Sequence, residues 1–135
     1  MIAAAQEIAK HTGARIEFFT DPRTAVVGAD AIYTDAWASM GQEHEAAQRA
    51  AIFQPYQVNR KLMAKAAPNA VFMHCLPAFH DTNTVVGAEI MHETSMTDGL
   101  EVTDDVFESP ASIVFDQAEN RLHTIKAVLV ATLAG

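Results

Sequence analysis

The chain has one cysteine, Cys75, in 135 residues, so no internal disulfide can form and a reducing compartment is expected. Positive charge is also scarce. Nine Lys and Arg stand against 17 Asp and Glu, a net charge of −8, which argues against nucleic acid and anionic membrane, since both need a basic face. No apolar run reaches the length of a membrane span, and the opening "MIAAAQEIAK" lacks the apolar core of a signal peptide. A cytoplasmic protein is expected. The six histidines are scattered, with no His-x-x-x-His and no cysteine pair, so no metal site is indicated. There is no Gly-x-Gly-x-x-Gly and no Gly-rich phosphate loop, which speaks against a nucleotide-binding domain and implies no cofactor. No Ser/Gly-rich linker divides the chain, and its length suits one domain with a real core.

What is present alternates. "RIEFFT", "AIYTD", "AVFMHC" and the later "SIVFD" are short runs rich in β-branched or aromatic residues and read as buried strands. Between them lie helical stretches: "IAAAQEIAKHTG" ended by Gly13, "QEHEAAQRAAIF" stopped before Pro55, and "NRKLMAKAA" stopped before Pro68. The last stretch, "AENRLHTIKAVLVATLAG", carries Leu122, Ile125, Val128, Leu129 and Leu133 on one helical stripe, expected to face the core. "VVGAD" and "VVGAE" echo each other but are too short to make a repeat. Strands alternating with helices predict an α/β fold: a partial doubly wound parallel sheet with helices on both faces, Rossmann-like. Such sheets bind ligands outside the carboxyl ends of their strands. Here "AIYT" runs into Asp35, "AVFM" into His74 and Cys75, and "SIVF" into Asp116, so three strands are expected to deliver polar groups to one edge.

Each candidate has a plain structural explanation beside the functional one. In "DAWASMGQE", Ser39 suits an N-cap and Gly41 a loop, while the Asp35 carboxylate would complement an ammonium. A lone cysteine is more often a buried small hydrophobe than a nucleophile. Pairing Cys75 with a distant histidine in a peptidase finds no recognisable context. Pro77 holds Leu76 extended, which leaves the Leu76 carbonyl available to a ligand. Arg121 is placed in the first turn of the last helix, on its core-facing stripe. There the helix dipole disfavours a cation by roughly 0.3–1 kcal/mol. Pairing with Asp116 or Glu119 would explain it structurally; attraction of an anionic or strongly polar substrate would explain it functionally.

"DAWASMG", "HCLPAFHD" and "VFDQAENRLHTIKAVLVATL", in this order and over almost the whole chain, resemble the ornithine-binding half of the ornithine carbamoyltransferase family. The aspartate-specific relatives have proline where Cys75 stands, and putrescine-type relatives lack the Ser-Met-Gly loop. The resemblance implies transfer of the carbamoyl group of carbamoyl phosphate to the side-chain amine of ornithine, giving citrulline and phosphate. It implies that Asp35, Ser39 and Met40 bind ornithine, that Cys75 and Arg121 are catalytic, and that Cys75, Leu76 and Arg121 contact carbamoyl phosphate. A homotrimer, or a multiple of trimers, is implied for the full-length enzyme.

The family's Ser-x-Arg-Thr-Arg phosphate loop and His-Pro-x-Gln motif are absent, and "DPRT" at Asp21–Thr24 lacks the serine and second arginine to replace them. Residues 1–135 are therefore expected to form the ornithine-binding domain without its first strands and without the carbamoyl phosphate domain, and to be inactive alone. The competing readings are a freestanding amino-acid-binding module and a carbamoyltransferase for a related amine.

Overall fold

The computed structural model describes residues 1–38, 41 and 45–133. Its centre is a two-stranded parallel sheet, β1 (Ala31–Thr34) beside β2 (Val71–His74), in register from Ala31 opposite Val71 to Thr34 opposite His74. Parallel strands need a crossover. It is supplied by α3 (Ala46–Phe53), a 3₁₀ turn at Gln54–Tyr56 and the short α4 (Arg60–Met63), capped by the Asn59 side chain. α1 (Ile2–Thr12) ends as expected at Gly13, whose φ of 76° returns its N–H to the Ala9 carbonyl. α2 (Pro22–Ala25), α5 (Val85–Thr94), α6 (Asp104–Phe107) and the long α7 (Val114–Leu133) complete the chain. The α/β class stands, as a small parallel sheet with helices around it.

Two apolar clusters hold these elements. One gathers Ile32 of β1 and Phe72 of β2 with Val58, Val102, Val106, Phe107 and Val114. The other packs Trp37 and Ala46 against Ile90 and Leu100, joining α3 to α5. Phe72 and His74, two residues apart, share the buried side of β2.

Three expectations are corrected. "RIEFFT" is not a strand: residues 14–19 form no ladder and leave Phe18 and Phe19 exposed, because no neighbouring strand pairs with them. "SIVFD" contributes only a bridge between Phe72 and Ser112, since helical hydrogen bonding has begun by Ile113, whose carbonyl accepts from the Gln117 amide. Asp116 thus lies in the first turn of α7 and not at a strand end, and Arg121 comes about two turns into that helix. The stripe on α7 does not face the core either. Leu122 is 64% exposed and Leu129 49%, and Val114 is the one buried residue of the helix.

Candidate functional site

The carboxyl ends of β1 and β2 open into a cavity of about 490 Å³ whose lining includes Tyr33, Cys75, Leu76, Gln117 and Arg121. Asp35 follows β1 and Cys75 follows β2, and the parallel register brings the two together. The Cys75 thiol donates to Asp35 Oδ1 at 2.6 Å, and the same oxygen accepts from the Ala36 amide at 2.7 Å. Partial burial pushes the Cys75 thiol up in pKa, and the hydrogen bond and negative charge of Asp35 push it further. Cys75 is therefore an uncharged thiol near neutral pH. Its sulfur lone pairs remain able to accept from an amine, while Asp35 Oδ2 accepts no hydrogen bond among the described residues.

The turn after β2 is built from below. His74 is buried, with its Nδ1 against the Cys75 carbonyl and its Nε2 3.1 Å from Glu101 Oε1. The two are near but misaligned, and among the described residues neither His74 Nε2 nor Glu101 Oε2 has a hydrogen-bond partner. Glu101, also fully buried, accepts from the Phe79 amide at 2.7 Å and so holds the far end of the same turn. The Leu76–Pro77 peptide is cis, and no hydrogen bond reaches the Leu76 carbonyl among the described residues, as its position before proline suggested. The sequence reading missed Glu101. A buried carboxylate leaves no mark in a run such as "GLEVTDD", where the surrounding acids are exposed.

Arg121 enters the cavity from α7. Its guanidinium has no ion-pair or hydrogen-bond partner among the described residues, so pairing with Asp116 or Glu119 does not account for it. Ser39 and Met40 lie outside the described residues. Elsewhere, His80, Asp81 and Asp104 bring three ligand-type atoms within 4.8 Å of one another, a grouping that sequence spacing does not reveal. His80 Nδ1 lies 2.8 Å from Asp104 Oδ1, and its ring stacks on Phe107 at 3.7 Å. Together these contacts account for it as a packing tie for the turn.

One edge of the sheet thus presents a carboxylate, a neutral thiol, an open carbonyl and an unpaired guanidinium. Residues 1–132 match the model of the aspartate/ornithine carbamoyltransferase family, Asp/Orn binding domain. The chain belongs to this family. It is 55% identical over 136 residues to the catabolic ornithine carbamoyltransferase of Chromobacterium violaceum, covering 98% of this chain and 40% of that protein. Identity to the catabolic enzyme of Rhizobium meliloti is 54%, over 96% of this chain and 39% of the relative. Among solved structures, the ornithine carbamoyltransferase of Pyrococcus furiosus superposes with a TM-score of 0.74 at 50% identity, covering 94% of this chain and 35% of that one. The anabolic enzyme of Campylobacter jejuni gives 0.73 at 32% identity, covering 93% and 35%. The chain therefore spans about 40% of the length of the curated relatives it matches.

Proposed function

We propose that the domain supplies the ornithine half of a carbamoyltransferase site, in which the side-chain amine of ornithine takes the carbamoyl group of carbamoyl phosphate to give citrulline and phosphate. The observation that carries this is the unpaired Arg121 guanidinium sharing a cavity with the Asp35-bound Cys75 thiol and the open Leu76 carbonyl. Asp35 receives the α-ammonium of ornithine, with Ser39 and Met40 as further ornithine-binding residues. The neutral side-chain amine donates to the sulfur of Cys75, which aims its lone pair at the carbamoyl carbon. Arg121 stabilises the charge growing on the carbamoyl oxygen, and the Leu76 carbonyl accepts from the carbamoyl NH₂. As the C–N bond forms and the C–O bond to phosphate breaks, the electron pair goes to the phosphate oxygen. The proton lost from nitrogen neutralises it.

Carbamoyl phosphate carries its charge on the phosphate, and the phosphate is held by residues other than these 135. Without that anchoring, a proximity advantage of up to about 7–11 kcal/mol is forfeited. Residues 1–135 are one domain of a two-domain site, in a cytoplasmic enzyme that assembles as a homotrimer or a multiple of it.

The test places this chain in the Chromobacterium violaceum enzyme in place of the residues it matches, beside the 135-residue chain alone. The chimera should form citrulline and the isolated chain should not. A folded chimera without turnover, or an isolated chain within tenfold of it, overturns the reading. A related amine has support from N-acetyl-L-ornithine transcarbamylase, similar at 29% identity and a TM-score of 0.70. An acetylated α-amine offers Asp35 no cation, so ornithine should be the better substrate of the chimera.

A further inference from the structure

Val114 and the Phe115–Phe107 contact anchor the start of α7, but the stripe beyond them is exposed, so apolar packing does not hold the helix farther along. There a single side chain ties it to the strands. Gln117 Oε1 accepts from the His74 backbone amide at 3.2 Å, and Gln117 Nε2 donates to the Tyr33 hydroxyl at 3.0 Å. Tyr33 lies near the end of β1 and His74 ends β2, so one carboxamide spans both strands of the sheet. Among the described residues, these are the only side-chain hydrogen bonds from α7 to the strands. The amide's orientation is settled chemically: a backbone N–H requires the oxygen, which leaves the nitrogen to donate to Tyr33. Gln117, Arg121 and Thr124 stand at i, i+4 and i+7, on one face of α7, and all three line the cavity with Cys75 and Leu76. The residue one turn along from the clamp is the unpaired arginine.

We propose that Gln117 is a positioning residue, clamping α7 across the ends of both strands and so holding Arg121 over the Cys75–Leu76 corner. The inference rests on the reaction proposed above. Gln117→Leu removes both bonds at similar volume. Gln117→Glu keeps both, because a carboxylate accepts from the His74 amide and from the Tyr33 O–H turned to donate.

Two measurements decide it. In the 135-residue chain, hydrogen exchange at the His74 amide should be at least about tenfold faster in Gln117→Leu and restored in Gln117→Glu, with the Val58 and Thr103 amides, bonded to the Glu101 and Val58 carbonyls, unchanged as a control for folding. In the chimera, Gln117→Leu should lower kcat by about tenfold to a hundredfold, the scale of a small misplacement of a reacting group, while the ornithine KM stays within about twofold. Gln117→Glu should recover most of that loss. In an Arg121→Gln background, Gln117→Leu should cause no further loss, since one residue acts through the other. Unchanged His74 exchange, a kcat within twofold of the parent, or losses that multiply independently would each overturn the inference. A parent chimera without turnover would instead remove the reaction, leaving the exchange result to decide the clamp.

Discussion

The domain has two unlike regions. Around the strand ends, Phe72, Leu100, Val102 and Val114 are almost completely buried and Glu101 and His74 are sealed beneath the turn. Along α1, residues 14–19 and most of α7, apolar side chains of the same kinds stand in solvent, among them Ile8, Phe18, Leu122 and Leu133. Composition does not separate the regions. What separates them is whether a neighbouring element exists to be packed against; the Asp35–Cys75–Leu76 side of the candidate site lies where one does, and Arg121 reaches it from the exposed helix. The turn that carries Cys75 and Leu76 is held from below by buried His74 and Glu101, whereas the place of Arg121 depends on how α7 is tied to the sheet.

Substitutions in the two regions should therefore differ widely. Phe72→Ala empties a site flanked by Ile32, Val102 and Val114, and should lower unfolding stability by about 3–5 kcal/mol in urea titration. A loss below about 1 kcal/mol would mean that this cluster is not the core. Glu101→Ala comes next. It strips the Phe79 amide of its acceptor and leaves His74 Nε2 facing a void, so a loss of about 1–3 kcal/mol is expected. Glu101→Gln keeps an oxygen for Phe79 and should lose clearly less. Equal losses in the two variants would show that the charge matters and the hydrogen bond does not.

The same contrast explains what could be read from sequence. Strands β1 and β2 were legible because "AIYT" and "AVFMH" find each other as parallel partners within the chain, though only Ile32 of β1 is buried, and Gly13 stops α1 by a local rule that needs no tertiary context. "RIEFFT" has equal β propensity but no pairing neighbour, so local preference alone did not make a strand. The two "VVGA" segments show the limit most directly. At Val26–Gly28 the segment is a turn with glycine at φ 69°, and at Val85–Gly87 it opens a helix capped by the Thr84 side chain. The second glycine fits because a Cβ there would lie 2.7 Å from the Asp81 carbonyl oxygen, a contact no local pattern encodes. The meeting of Asp35, Cys75, Leu76 and Arg121 around one cavity was expected from strand ends and motif. Glu101 and Gln117 were not, since their roles come from distant partners.

Asp35 offers a smaller test within the well-packed region. Burial first, and the Asp35 hydrogen bond and charge second, raise the Cys75 pKa, so the folded state holds the thiol proton more tightly than the unfolded chain does. The stability linked to this group is fully present below the unfolded thiol pKa and is lost as pH rises through the folded one. Alkylation by iodoacetamide reads it directly, because Cys75 is the one thiol of the chain. At mildly alkaline pH, the folded protein should react more slowly than the urea-unfolded chain. Asp35→Asn should react faster than the parent but still more slowly than the unfolded chain, since burial persists. A rate unchanged by Asp35→Asn would show that the carboxylate does not act on the sulfur.

The smallest effect is expected from Leu129→Ala on α7. Leu129 is 49% exposed, so truncation leaves no cavity. Alanine is also a slightly better helix former than leucine, which works against the small loss of residual contact. The change in unfolding stability of the isolated chain should stay within about 0.5 kcal/mol, an order of magnitude below Phe72→Ala. The measurement must be made at several protein concentrations. If α7 covers its stripe by pairing with a second copy, Leu129→Ala should lower the unfolding midpoint increasingly as concentration rises, because association stabilises the folded state by mass action. A loss of about 2 kcal/mol that is independent of concentration would place Leu129 against this chain's own core. That result would erase the division between the two regions, because α7 would then be anchored by packing along its length and Arg121 would no longer depend on Gln117 for its place.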